Sequence, residues 1–177
     1  MKQADRLMRE AVDKEVFPGG VLLVSKEDKI VFFEAYGYAD IFSEKKMRGD
    51  TIFDLASLTK ILAVTVSLMK LVADEKLTIE TKLKNILPDF GDDDKGDITI
   101  CQLLTHTSGL RDWRPYYLPL SLHPIEKRKS LLREFLVREI QTYIPETKMI
   151  YSDFGFMILE WVIGQISGRT LDCVCFG

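Results

Sequence analysis

Residues 56–64 read Ala56-Ser57-Leu58-Thr59-Lys60-Ile61-Leu62-Ala63-Val64, "ASLTKILAV", and the hydrophobic period changes within them. Ahead of them lie short β-branched and aromatic runs. From Ile61 onward, Leu62, Val64, Thr65, Leu68, Met69, Leu71 and Val72 recur at helical spacing. That helix is apolar on most of its circumference, which predicts a central position in the fold. Ser57 and Lys60 lie three residues apart at its start, on one face, so the amine reaches the hydroxyl. A serine hydroxyl is a poor nucleophile until a neighbour takes its proton. First-turn N–H groups without intrahelical partners favour an oxyanion, and burial suppresses the charge on an amine. The same residues also read as an N-cap serine and a solvated first-turn lysine. On the order of one S-x-x-K match arises by chance in a chain of this length, so the remaining sequence has to separate the two readings.

Working toward the N-terminus, "TIFDLA" leads up to Ser57 and a polar linker, "DIFSEKKMRGD", precedes it. "VLLVS" (Val21 to Ser25) and "KIVFFEAYGYA" (Lys29 to Ala39), separated by Lys26-Glu27-Asp28, predict a β-hairpin. "FPGG" before it signals a loop. In the first seventeen residues Ala4, Leu7, Met8, Ala11, Val12 and Val16 are spaced as on a helix, with charges between, unlike the h-region of a signal peptide.

Toward the C-terminus, "LKNILPDFGDDDKGD" (Leu83 to Asp97) predicts a loop with short helical turns. Thr99 then N-caps a short helix, "ICQLLTH", that stops before Ser108-Gly109. "RDWRPYYLPLSLHP" is a proline- and aromatic-rich loop. Amphipathic helices are expected over Ile125 to Thr142 and Phe154 to Ser167. Trp113, Tyr116 and Tyr117 fit either the wall of a substrate groove or a local hydrophobic cluster. His106 and Ser108 suggest a Ser-His pair, but two residues apart at a helix end they do not face each other, and no G-x-S-x-G elbow occurs. Satisfying backbone groups there and positioning the following loop is the better reading.

The 177 residues make one domain, or one and part of a second; 46% are hydrophobic and 29% charged, enough to bury a core. A formal net charge of −3 without a basic stripe excludes a nucleic-acid partner, and no apolar run reaches the ~18 residues that span a bilayer. Three cysteines, Cys101, Cys173 and Cys175, form no even disulfide framework and suit a reducing compartment, so the cytoplasm is the expected location. Two histidines without ligand spacing argue against a metal site.

Three further segments follow a fixed order around Ser57: "YGYAD" before it, "LLTHTSGL" (Leu103 to Leu110) after it, then "YSDFGF" beginning at Tyr151, with "ISGRTL" closing the last helix. With these, the chain from about Gly19 to Thr170 resembles the serine β-lactamase-related family: class C β-lactamases, low-molecular-weight penicillin-binding proteins and esterases on the same fold. The resemblance implies an α+β, β-lactamase/transpeptidase-like fold, here an N-terminal β-hairpin plus the helical domain and lacking the C-terminal sheet strands. It implies Ser57 as the acyl-accepting nucleophile, Lys60 as the amine sharing its proton, and Tyr151 as the phenol that activates Ser57 and protonates the leaving group. Asp153 stands where many members carry Asn and would contact Lys60 and the substrate amide. Trp113 and Tyr116 complete the candidate substrate-binding set. No cofactor is implied, because the proton transfers need only side chains.

Two departures from the family pattern stand out. Glu146 replaces a common Gly, and no K-T-G or H-x-G tripeptide occurs, although that strand supplies one oxyanion-hole N–H in the family. The expected layout is therefore residues 1–56 as helix and hairpin, 57–172 as the helical domain with both motifs, and 173–177 as an atypical tail resembling a truncation. The expected function is a serine hydrolase of esters, amides or β-lactams, with little turnover from these residues alone. The alternative is a non-catalytic binding or assembly domain that keeps the fold. The open hairpin edge predicts self-association, and no membrane partner is expected.

Overall fold

In a computed structural model that describes residues 1–91 and 94–176, the chain forms two units, Met1–Asp54 and Leu55–Gly177. The first is built on the hairpin. Strand β1 (Gly19–Lys26) pairs antiparallel with β2 (Lys29–Asp40), setting Val21 opposite Ala35 and Leu23 opposite Phe33. Glu27 and Asp28 both adopt positive φ, 51° and 59°, the backbone that lets a two-residue turn follow the strand twist. Helix α1 (Lys2–Asp13) is tied to β2 through Asp5, whose carboxylate accepts from the Tyr36 hydroxyl at 2.9 Å. Burial, and then that hydrogen bond, pushes the Tyr36 phenol up to about 12.

The expected polar linker is in part a strand. The Asp40 carboxylate accepts from the Phe42 N–H at 2.8 Å and the Ser43 hydroxyl at 2.7 Å, closing a turn that lays β3 (Lys45–Lys46) against β2. This local Asx turn needs no hydrophobic period, so pattern reading did not reveal it.

The second unit opens with a π-helical segment, Lys60–Thr65, that continues as α2 (Val66–Ala73). Short 3₁₀ turns at Leu83–Asn85 and Pro88–Phe90 bear out the loop expected there; Asp92 and Asp93 of that loop lie outside the described residues. Then come α3 (Ile100–Leu104), α4 (Tyr117–Ser121), α5 (Ile125–Arg138), α6 (Asp153–Ser167) and α7 (Leu171–Phe176). The division between Asp54 and Leu55 falls just ahead of the expected boundary at 56. Residues 173–176 continue a helix across the expected boundary at 172, while Gly177 lies outside the described residues.

Central position belongs to α6, not to the 60–73 helix as its apolar circumference suggested. Phe154, Phe156, Ile158, Leu159, Trp161, Val162 and Ile163 of α6 are all buried, together with Leu68, Leu71, Leu83, Leu87, Ile98, Ile100, Leu103 and Leu136. The helix from Lys60 buries one stripe, Val64, Leu68 and Leu71, and leaves Ile61, Leu62, Val66 and Met69 more than half exposed. Helix α5 also stops earlier than expected, because Glu139 turns extended (ψ 142°) to place a buried carboxylate.

Candidate active site

Ser57 sits in a tight turn at the entrance to the π-helical segment. Ala56 before it holds a φ of 44°, a left-handed backbone that a non-glycine residue adopts only when its surroundings enforce it. The N–H groups of Leu58, Thr59 and Lys60 donate to the carbonyls of Leu55, Ala56 and Ser57 at 2.9–3.1 Å. These first-turn donors are therefore already engaged and do not form the open oxyanion site expected of a helix N-terminus. π-Helical turns of this kind recur at functional sites.

Tyr151 arrives from the other side, immediately ahead of α6. Ser152 is the N-cap of α6, and its hydroxyl accepts from the Gly155 N–H at 3.3 Å while donating to the Arg111 carbonyl at 2.6 Å. The Asp153 N–H donates to the Asp112 carbonyl at 2.8 Å. The segment from Gln141 to Ser152 is stitched along "LLTHTSGL". The Gly109 carbonyl accepts from the Thr142 N–H, the Thr107 carbonyl from Glu146 and the His106 carbonyl from Ile150, at 2.8–2.9 Å. Gly109 has φ +81°, and a Cβ there would collide with the Tyr143 carbonyl. The specific phrase in the sequence is thus a backbone template on which the tyrosine is laid.

The Lys60 Nζ donates to Ser57 Oγ at 3.2 Å and lies 2.6 Å from Asp153 Oδ1. The Tyr151 phenol is close enough to Ser57 and Lys60 for both to act on its ionisation, and the Lys60 Nζ stands 5.0 Å from its ring centroid. Burial alone would push the Lys60 ammonium down, but its hydrogen bonds to Asp153 and Tyr151 carry it above the usual lysine range. This corrects the expectation that burial suppresses the lysine charge. Tyr151 moves the other way: hydrogen bonds from Ser57 and then Lys60 stabilise the phenolate and pull the phenol below 10, against repulsion from Asp153. The lysine is therefore the charged partner and the tyrosine the more available base.

Of the sequence-derived site residues, Ser57, Lys60, Tyr151 and Asp153 come together. Tyr116 lies elsewhere, its hydroxyl donating to the Glu139 carboxylate and its ring stacked on Phe154 at 5.1 Å. That is the local-cluster placement left open for it. Burial and the Glu139 hydrogen bond push its phenol well above the usual range. Trp113 is 54% exposed on the loop before α4.

Two site-supporting pairings had no sequence signal, although His106 itself did. As expected, His106 serves the end of α3: in a left-handed backbone its N–H donates to the Leu103 carbonyl at 3.3 Å and the next N–H, of Thr107, to the Gln102 carbonyl at 2.9 Å, while its Nδ1 accepts from the Ser152 N–H at 3.0 Å. The buried Glu139 pairs with Arg111 at 2.9 Å and Arg114 at 3.0 Å, anchoring the loop whose carbonyls hold Ser152 and Asp153. Neither pairing follows a periodicity, since both are long-range.

Residues 4–174 match the Beta-lactamase family. The chain belongs to the beta-lactamase family. It is 32% identical over 186 residues to the N-acetylmuramyl-L-alanine amidase of Bacillus subtilis (strain 168), covering 94% of this chain and 42% of that protein. Beta-lactamase-family structures superpose on nearly all of it. EstCE1, a hydrolase with promiscuous acyltransferase activity, matches with a TM-score of 0.80 and 25% identity over 99% of this chain and 49% of its own. The octameric penicillin-binding protein homologue from Pyrococcus abyssi matches with a TM-score of 0.84 at 17% identity, covering 99% of this chain and 41% of that one, a likeness of fold alone. The chain spans less than half the length of each of these three proteins.

Proposed function

We propose that these residues carry the acyl-accepting centre of a serine hydrolase acting on a small ester, amide or β-lactam. One observation carries the reading: a serine hydroxyl accepts from a lysine ammonium at 3.2 Å, and a tyrosine ring stands 5.0 Å from that same ammonium. Ser57 Oγ attacks the carbonyl carbon as its proton passes to the Tyr151 phenolate. The tetrahedral adduct collapses by breaking the bond to the leaving alcohol or amine, which takes the proton back from Tyr151. Water then attacks the Ser57 ester, losing its proton to Tyr151, and the bond from the carbonyl carbon to Ser57 Oγ breaks as that oxygen takes the proton back from Tyr151, releasing the acid. Lys60 stays charged throughout, lowering the cost of the phenolate, and Asp153 holds it in place.

The substrate class rests on the relatives, whose names cover an amidase and an acyl-transferring hydrolase. Asp153 and Trp113 are the substrate contacts we assign, and Tyr116 acts on the site through Glu139. Neither K-T-G nor H-x-G occurs in the 177 residues. An oxyanion-hole donor is worth roughly 10²–10³ in rate, so we assign these 177 residues by themselves little or no hydrolase turnover. Three free thiols support a reducing compartment, and among the described residues no helix is long and apolar enough to cross a membrane.

Labelling with a fluorophosphonate and with a fluorescent penicillin tests the reading. The expected result is a covalent adduct that mass spectrometry places on Ser57, absent in Ser57→Ala and slowed roughly 10²-fold or more in Tyr151→Phe. An unlabelled Ser57 in a folded chain would favour the non-catalytic binding domain instead.

A further inference from the structure

We propose that His106 is the positioning residue for Tyr151, fixing its main chain on both sides and its ring from one face. The proposal rests on the reading of Tyr151 as the proton carrier for Ser57. Three contacts converge. The His106 carbonyl accepts from the Ile150 N–H at 2.9 Å, one residue before Tyr151. The His106 Nδ1 accepts from the Ser152 N–H at 3.0 Å, one residue after it. The imidazole lies against the Tyr151 ring, with centroids 4.6 Å apart and planes tilted by 38°, and is backed by Phe156 at 5.2 Å. A tyrosine has two torsions between its backbone and its hydroxyl. Holding both flanking peptides and one ring face leaves the phenol oxygen little freedom except toward Ser57 and Lys60.

His106 does this from the left-handed position that also closes α3. Its φ is +60°, a region in which histidine, asparagine and aspartate are enriched among non-glycine residues. The left-handed backbone turns the carbonyl and the ring toward the same stretch, residues 150–152. Accepting at Nδ1 requires that nitrogen to be unprotonated. The groups facing the ring are Lys60 from the π-helical segment, Asp153 from α6 and the Tyr151 phenol itself. Burial and then the Lys60 charge hold the imidazole neutral, against the opposing pull of Asp153. The neutral tautomer is thus the one that the Ser152 N–H needs.

Two substitutions separate this role from mere folding. His106→Gly removes the ring and the acceptor yet fits the left-handed backbone. His106→Asn also tolerates that backbone and offers Oδ1 close to the position of Nδ1. The readout is the ionisation of Tyr151, followed by phenolate absorbance after subtracting the Tyr151→Phe titration, with circular dichroism confirming the fold. In the unmodified chain Tyr151 titrates below the ordinary tyrosine value. It should return toward that value in His106→Gly and stay low in His106→Asn. In parallel, fluorophosphonate labelling of Ser57 should fall roughly tenfold or more in His106→Gly and recover in His106→Asn, because misplacing a reacting group by about 1 Å costs up to 10² in rate. A Tyr151 titration unmoved in His106→Gly, or lost equally in His106→Asn, would overturn the proposal. A low Tyr151 titration that depends on His106 in a chain whose Ser57 takes no label would retain this role and sink the acylation reading.

Discussion

At the scale of single residues the unusual choice is Asp153. Its carboxylate, 2.6 Å from Lys60 Nζ, raises the ammonium's affinity for its proton and also opposes a phenolate at Tyr151. Both effects act in the same direction. Whichever of the two side chains accepts the serine proton, Asp153 makes it release its own proton at higher pH. Asp153→Asn keeps an oxygen that can accept from Lys60 but removes the charge, so both groups should titrate lower. The alkaline-rising limb of Ser57 acylation should move to lower pH, and below the limb each unit of displacement is worth roughly tenfold in rate. Stopped-flow labelling across pH measures it, and superimposable profiles would show that the carboxylate does not tune the base. The sequence made this residue legible because its position beside Tyr151 was fixed by the motif. The sequence also set the two opposing pushes on Lys60, a carboxylate at 153 that favours the charged amine and burial that disfavours it. Burial and a salt bridge push a lysine oppositely, and only the 2.6 Å separation says which prevails.

At the scale of elements, α6 is both the centre of the core and the mount of the site. Phe154, 1% exposed, follows Asp153 directly and stacks on Tyr116, which in turn donates to Glu139. Phe154→Ala should therefore cost about 3–5 kcal/mol, the range for emptying a buried aromatic position. Thr99→Ala, which removes the hydroxyl that accepts from the Gln102 N–H at the start of α3 but keeps the Thr99 N–H that donates to Gln102 Oε1, should cost only about 1 kcal/mol. Urea midpoints compare the two, and equal losses would mean that α6 does not dominate the second unit. The element types were readable because their periods were clean: the hairpin, the Thr99 cap and α6 fall where the pattern puts them. The rank order of burial was not. Residues 61–72 and 154–166 are both apolar nearly all round, and composition cannot tell which helix is surrounded by partners. The end of α5 escaped for a related reason, since Glu139 breaks the helix to reach Arg111 and Arg114.

At the scale of the whole molecule, the exposed apolar surface of the first unit carries the remaining expectation. Strand β1 is at the edge of a three-stranded sheet whose third strand has two residues, and β1 pairs only with β2 among the described residues. Leu23, Ile30, Val31 and Phe33 are each about half exposed or more. A two-stranded ribbon gains little from its own pairing in water, while an open edge offers a row of N–H and C=O groups to any second strand. Two copies meeting edge to edge would satisfy those groups and bury the same apolar side chains. Sedimentation velocity on the 177-residue chain should then show an apparent mass that rises with concentration. Leu23→Lys, which sets a charge on the exposed strand surface without touching a buried position, should hold the chain monomeric over the same range. A chain that sediments as a monomer into the high micromolar range would show that the edge is protected in solution, and a mass that rises equally in Leu23→Lys would move the contact to another surface.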